Sequence, residues 1–343
     1  MDDVMDEAEE KSHGLELQSA ILHVLDGRRH NIVLSEGTLD LEEPEIEKYV
    51  KRYVTRCRRD MRTRPGTFHE DSAFRRELER YFRGESRLPE FSANVCKSLI
   101  EYFEQEEARS FECLVAVYRD EDVPYMAVIL LEEAESMNYV TSARSGNIIN
   151  TISFGNTSLP AMSKPVGSFA LVDIMSQEIR FVDEGKWKDN VLLIQDRLLE
   201  ADAGFSRREV VDSVKTITCE VADQFRENST LLLSQVKNYI SETVNEGMPL
   251  NTETLVEELF EEKPQMAKVF REKVAATSLP KETELPKGAV TTALRKQRIV
   301  TDTGIEITFP SEYYQESGLI EFTDETDGTI TISIKGVNRV TNK

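Results

Sequence analysis

Arginine is the residue type whose placement most narrows the chemistry open to this chain. Between Lys51 and Arg87 there are 12 lysines and arginines against 6 aspartates and glutamates, a local balance of +6. The formal net charge of the whole chain is −21, so the remainder carries −27. A guanidinium presents a planar fork of donors that matches the oxygens of a phosphate or a carboxylate. Two partners therefore compete for the segment. One is a nucleic-acid backbone, whose binding releases counterions and weakens with salt; the other is the chain's own carboxylates, within or between subunits. The candidate phosphate contacts are Arg52, Arg56, Arg59, Arg62 and Arg64, with Arg76, Arg80 and Arg83 as a second row. Only Asp60 interrupts the run from Arg56 to Arg64, whereas Glu77 and Glu79 interleave with the second row. A smaller cluster, Arg295 to Arg298, reads as a solubilising linker.

Other reactive groups are less organised. The sequence holds no GxxxxGK[ST] phosphate loop, GxGxxG turn, GxSxG elbow or HExxH pair. His13, His23, His30 and His69 have no second His or Cys at metal-ligand spacing. His23, inside an apolar run, reads as a satisfied core residue. Glu45-Ile46-Glu47-Lys48 has the E-x-K order of metal-dependent nucleases, but it opens an amphipathic helix, where its acids complement the helix dipole. Asp120-Glu121-Asp122 reads as a solvated turn. Cys57, Cys96, Cys113 and Cys219 are widely spaced in apolar patterns and read as buried, reduced thiols. No catalytic residue, metal or cofactor is expected, and a nuclease is the minor alternative.

The elements that must carry the arginines follow from periodicity. Pro44 opens a helix at its favoured first position. Ile46, Tyr49, Val50, Tyr53, Val54 and Cys57 then mark one apolar stripe, with Lys48, Arg52 and Arg59 opposite. This helix is expected to run to about Arg62 and to break at Pro65-Gly66. A second helix turns Phe74, Leu78 and Tyr81 inward and Arg76, Arg80 and Arg83 outward. A third, about Ser92 to Gln105, places Val95 and Leu99 on one side. Leu15 to Leu25 is ambiguous between helix and strand, and Asn31 to Leu34 is a short strand. The runs Phe111–Tyr118 and Tyr125–Leu131 are apolar but for Glu112, as in strands covered on both faces, and their short acidic connection predicts an antiparallel pair. Asn147–Phe154, Ser168–Ile174 and Glu178–Val182 add further strands.

After Trp187, read as a core or interface anchor, the period changes from two to 3.6. Ser206 and Glu209 form a capping box for a helix carrying Val210, Val214, Ile217, Val221 and Phe225. Three more helices follow, at Leu231–Val244, Thr252–Glu262 and Pro264–Ala276. Beyond the prolines at 280 and 286, period-two segments return at Gly304–Phe309, Leu319–Thr323 and Gly328–Lys335. Asp324–Gly328 forms a turn, and Tyr313-Tyr314 packs within this module. The fold class is α+β: N-terminal helices on a mostly antiparallel sheet, a helical middle domain and a small C-terminal antiparallel β module. The expected boundaries are an acidic disordered lead at 1–12, an α+β domain with arginine-rich helices at 13–185, a helical domain at 186–280, a linker at 281–303 and the β module at 304–343. No run is long and apolar enough to span a bilayer, and the acidic start is unlike a secretory signal, so a cytoplasmic protein is expected.

The order of these segments resembles the NdpA/YejK-like family of bacterial nucleoid-associated proteins. The resemblance rests on Ile21–Leu25, the pair Phe111–Arg119 and Tyr125–Glu132, the stretch Ala170–Asp183, and the tail from Gly304 to Val337. It covers about residues 15 to 338; the acidic lead and the helical domain match it less. It implies a non-enzymatic protein of the bacterial nucleoid that binds double-stranded DNA, with contacts to chromosome-maintenance or defence proteins. It transfers no residue-level DNA motif. A homodimer would double the basic segment and add avidity. The rival reading is an acidic protein-interaction or regulatory factor acting on a DNA enzyme or antiphage assembly.

Overall fold

The computed structural model describes residues 14–27, 31–103, 110–132, 134–144, 147–185, 191–286, 296–310, 319–324 and 329–339. The acidic lead, His13, His30, Trp187, Arg295, Tyr313-Tyr314 and most of the Asp324–Gly328 turn lie outside these residues. The chain divides into two units. The first comprises residues up to Arg58 and Thr63–Gly204; the second comprises Arg59–Arg62 and everything from Phe205.

The first unit is built on an antiparallel sheet of eight strands. In chain order these are β1 (Glu16–Asp26), β2 (Asn31–Val33), β3 (Arg64–Phe68), β4 (Ser110–Asp120), β5 (Val123–Glu132), β8 (Ser168–Asp173), β9 (Ile179–Asp183) and β10 (Ala201–Ala203). Across the sheet they run β10-β3-β9-β8-β5-β4-β1-β2. The ambiguous Leu15–Leu25 segment is thus the long strand β1, paired with β4 along its length. Two further strands, β6 (Ala134–Arg144) and β7 (Asn147–Ser158), form a separate hairpin after β5.

Alternation in β4 and β5 divides the interior into two layers. Cys113, Val115, Val117, Met126, Val128 and Leu130 are buried on one face with Phe74, Leu78, Phe91 and Leu99. Leu114, Ala116, Tyr118, Ala127, Ile129 and Leu131 are buried on the other, with Val50, Tyr53, Val54 and Cys57. Helix α1 (Pro44–Arg58) therefore covers one face, and α2 (Ala73–Phe82) with α3 (Leu88–Phe103) covers the opposite one. This explains why the central strands are apolar at every position from Cys113 to Tyr118 and from Met126 to Leu131. A π-helical segment, Leu193–Leu199, not expected from sequence, joins the α2–α3 layer through Leu193, Ile194, Leu198 and Leu199.

Two expectations about this unit are corrected. The first arginine helix ends at Arg58, not Arg62. Pro65-Gly66 is no simple break between helices but lies inside β3. That strand pairs with β9 over Arg64–Gly66 and with β10 over Gly66–Phe68. Pro65 falls beyond the end of β10, where its missing N–H deprives no ladder partner, and its carbonyl accepts from the Gly204 N–H. A Cβ on Gly66 would lie 2.8 Å from Ile179, 2.9 Å from Phe181 and 3.0 Å from the Asp202 carbonyl, so only glycine fits the overlap.

The second unit contains four helices, α4 (Arg207–Phe225), α5 (Ser229–Glu246), α6 (Thr252–Leu259) and α7 (Pro264–Thr277). The capping box is present: Ser206 accepts from the Glu209 N–H and Glu209 accepts from the Ser206 N–H. Val210, Val214, Val221, Val236, Ile240, Leu255 and Phe270 form its core, and Met61 packs against them. Residues 59–62 are fixed there by two bonds, from the Arg208 N–H to the Met61 carbonyl and from Arg207 Nη1 to the Asp60 carbonyl. A short pair, β11 (Leu250–Asn251) with β12 (Glu282–Thr283), closes the helices. The C-terminal strands form two hairpins, β13 (Lys296–Val300) with β14 (Glu306–Pro310) and β15 (Ile320–Asp324) with β16 (Ile330–Ile334). Part of the basic cluster read as linker is thus strand β13, where Arg298 pairs with Glu306 at 2.6 Å.

Cys57, Cys96 and Cys113 are buried thiols, but Cys219 on α4 is only half-buried. His23 is fully buried, yet only half satisfied: its Nδ1 accepts from the Ser35 N–H at 3.0 Å, while Nε2 has no partner. Burial holds its pKa below the ordinary histidine value.

Candidate nucleic-acid interface

Helix α1 presents its cations on the side away from Val50, Tyr53, Val54 and Cys57. Lys48 and Lys51 are exposed there, and Arg52 is half-buried beside them. The exposed lysines of the face are therefore as prominent as the arginines singled out from sequence; i, i+3, i+4 spacing groups Lys48, Lys51 and Arg52. Glu45 and Glu47 occupy the first turn, as the dipole favours. The helix is pinned at its inner edge to the loop before β8. Tyr49 Oη donates to the Pro160 carbonyl at 3.1 Å, Tyr53 Oη to the Ala161 carbonyl at 3.0 Å, and Arg56 Nη1 to the Ser163 carbonyl at 2.6 Å. Burial pushes both tyrosine hydroxyls above their ordinary range. Arg56 thus spends donors on holding a loop.

The arginines past α1 are placed quite differently from a continuous helical row. Arg58 forms an ion pair with Asp120, so the acidic turn between β4 and β5 is not simply solvated. Arg59 is half-buried in the segment that belongs to the second unit. Arg62, in the same segment, chelates Asp60: Nε lies 3.0 Å from Oδ1 and Nη2 lies 2.5 Å from Oδ2. The two side chains are only 23% and 14% exposed. The single acid that interrupts the run thus occupies one of its arginines. Arg64 begins β3, half-buried, opposite Phe181.

The second row sits on α2 and is laced with acids. Arg80 pairs with Glu77 at 3.1 Å and with Glu90 at 3.4 Å. The Asn94 amide, and then Arg80, hold the Glu77 carboxyl below its usual value. Arg83 reaches Glu79 only at 3.8 Å and is 64% exposed. Arg76 is exposed and donates to the Asp71 carbonyl at 2.6 Å. Arg75, not singled out from sequence, donates to Gln177 at 2.8 Å and ties α2 to the turn after β8.

Because α1 and α2 cover opposite faces of the sheet, the two rows do not form one patch. Within the first unit, Lys48, Lys51 and Arg52 lie on the α1 side of the sheet and Arg76, Arg80 and Arg83 on the α2 side, while Arg59 and Arg62 belong to the second unit. The sequence spacing could not reveal this, since the sidedness is set by β3, which carries the chain from one face to the other.

A family model for the nucleoid-associated protein YejK matches residues 21–341. The chain belongs to this family. No curated protein matches the sequence. Membership in the YejK family gives the chain a nucleoid-associated setting over nearly its whole length. Among the described residues no helix is long and apolar enough to cross a membrane.

Proposed function

We propose that this YejK-family chain is a non-enzymatic, cytoplasmic protein of the bacterial nucleoid that binds duplex DNA through its phosphates, with the solvent face of α1 as the principal contact. The observation that carries this reading is the separation of Lys48, Lys51 and Arg52 from the apolar stripe of the same helix, in a chain whose family is nucleoid-associated. Phosphate contacts of this kind bind without sequence preference, and each one adds about −0.9 to the slope of log affinity against log salt. A homodimer doubles the face, and the strongly negative remainder of the chain holds neighbouring DNA segments apart or recruits basic partners.

Salt titration of binding to unrelated duplexes tests the proposal. The double variant Lys51→Glu/Arg52→Glu, both on the solvent face of α1, is expected to weaken binding at every sequence and to flatten the salt slope by roughly 1–2. The matched variant Arg76→Glu/Arg83→Glu, on the opposite side of the sheet, is expected to do less. Unchanged affinity and slope in the first variant would rule out α1 as the DNA surface.

A second reading is favoured by the ion pairs of Arg58, Arg62 and Arg80, which already satisfy part of the basic segment within the chain. On that reading the protein is an acidic interaction factor for chromosome-maintenance or defence proteins. Retained capture of such proteins alongside no measurable duplex affinity would select it.

A further inference from the structure

On the α2 side of the first unit, a cleft of about 530 Å³ opens between the end of α2, the loop that joins it to α3 and the ends of the central strands. Its walls are apolar: Tyr81, Phe82, Leu88, Val117, Pro124 and Ile174 line it. Ser86 lines it too; this residue is 6% exposed, and its hydroxyl has no hydrogen-bond partner among the described residues. A buried hydroxyl left unpaired is unfavourable, so an occupant that accepts from it gains a bond the free chain lacks. The apolar surface also continues past the mouth. Phe82 is 56% exposed, and Met175, which follows Ile174, is 66% exposed. The turn that carries Met175 is anchored. Asp173 Oδ1 accepts from the Met175 N–H at 2.8 Å, Arg75 Nε on α2 donates to Gln177 at 2.8 Å, and Gln177 Nε2 donates to Glu79 at 3.1 Å.

Charge narrows the class of occupant. The chain carries 63 aspartates and glutamates against 42 lysines and arginines, yet the cleft is lined by one cation, Arg87, and no acid. Arg87 is exposed and makes no ion pair among the described residues. Arg83 sits between the lining residues Phe82 and Gly84; it is 64% exposed and reaches Glu79 only at 3.8 Å. Glu85, exposed in the same loop, pairs with neither. A pocket-sized molecule would leave Met175 uncovered. A nucleic-acid backbone would meet the two arginines but leave the apolar walls and the Ser86 hydroxyl untouched. A peptide with an apolar side chain beside carboxylates meets all of them.

We infer that the cleft and its apolar rim are a docking site for an acidic segment of a partner protein. One bulky apolar side chain of that segment fills the cleft against Phe82, a main-chain carbonyl accepts from the Ser86 hydroxyl, and flanking carboxylates meet Arg83 and Arg87. Exposed ion pairs contribute little by themselves, so the buried anchor supplies most of the affinity and the arginines supply the preference for acidic sequence. The site lies on the α2 side of the sheet, opposite α1, and the inference does not depend on α1 binding DNA.

Fluorescence anisotropy with the full-length chain tests it, using a fluorescein-labelled peptide in which a phenylalanine and a leucine stand between runs of glutamate. This probe is expected to bind and to protect residues 81–88 in hydrogen exchange. Replacing its apolar pair by glycines, or its glutamates by lysines, is expected to weaken binding about tenfold. Arg83→Glu/Arg87→Glu is expected to do the same, whereas Lys268→Glu/Lys281→Glu, an equal charge change at exposed positions of the second unit, leaves binding intact. Phe82→Ala removes one wall without altering charge and is expected to cost about fivefold. Ser86→Ala is expected to raise the Tm of the free chain yet weaken the peptide about threefold, two effects that a purely structural serine would not combine. An acidic probe that does not bind, or binds no better than its lysine counterpart, would overturn the inference. Duplex affinity that falls in Arg83→Glu/Arg87→Glu while peptide affinity holds would assign the arginines to phosphates. Self-association of the chain that is lost in Phe82→Ala would assign the cleft to a second copy. Either result would also overturn it.

Discussion

Arg62 and Arg83 have the same side chain in opposite circumstances: one is chelated by Asp60 and largely covered, the other stands 64% exposed with a distant acid. Charge-assisted bonds of the first kind contribute about 1.5–3 kcal/mol each, whereas an exposed pair contributes about 0–1. Asp60→Ala is therefore expected to lower stability by about 1–2 kcal/mol in urea denaturation. Two buried groups predict a pH dependence of opposite sign. Asp183 accepts from the Ile194 N–H at 2.5 Å and the Gln195 N–H at 3.0 Å, yet burial pushes its carboxyl up to about 6. A folded value above the unfolded one means the native state binds the proton more tightly. Relative to Asp183→Asn, the wild type is therefore most stable below about pH 4 and loses up to about 3 kcal/mol as pH rises through 6. His23 is held below its ordinary value, so its margin is full above the unfolded value of 6.5 and is lost as pH falls. Denaturation curves from pH 4 to 8, set against Asp183→Asn and His23→Gln, separate the two contributions.

Strand β3 is the element on which the placement of the arginines turns. It has one ladder neighbour over each half, β9 and then β10, and the two meet at Gly66. Gly66→Ala is expected to cost about 1–3 kcal/mol, because the Asp202 carbonyl it would meet is backbone and cannot rotate away. Leu78→Ala, which opens the α2 layer, is expected to cost about 2–5 kcal/mol. Thermal denaturation of both variants measures the difference. The helices and central strands were legible in the sequence because their signals are local: the stripe from Ile46 to Cys57, the capping box at Ser206, the unbroken apolar runs of β4 and β5. Strand β3 was not, since five residues with Pro-Gly inside them carry every mark of a turn. What licenses the strand is the staggered pairing with residues more than a hundred positions away. The same limit applied to the site. Spacing sorted cations from apolar residues on each helix, but nothing local says which face of a sheet a helix will cover. The partners Ser163, Asp120 and Gln177 likewise come from distant segments.

At the scale of the whole molecule, the second unit is discontinuous in sequence. Its helices take in Met61 and are bonded to the backbone of Asp60 and Met61, residues that leave the first unit after α1 and return to it at Thr63. Met61→Asp is expected to reduce amide protection across Arg207–Thr277 in hydrogen exchange, with little change across Phe111–Leu131, because the first sheet has its own two-sided core. A chain organised in this way has a particular history on the ribosome. Residues 59–62 emerge long before the helices that bind them, and β3 waits equally for β10. At about 5–20 residues per second, the helical unit remains incomplete for roughly 10–45 s after Arg62 has been made. A message cut short before residue 204 yields neither unit entire. The same threading bears on inheritance: because four residues of one unit are encoded inside the other, no single contiguous exchange of coding sequence can transplant either one whole without taking residues of the other with it.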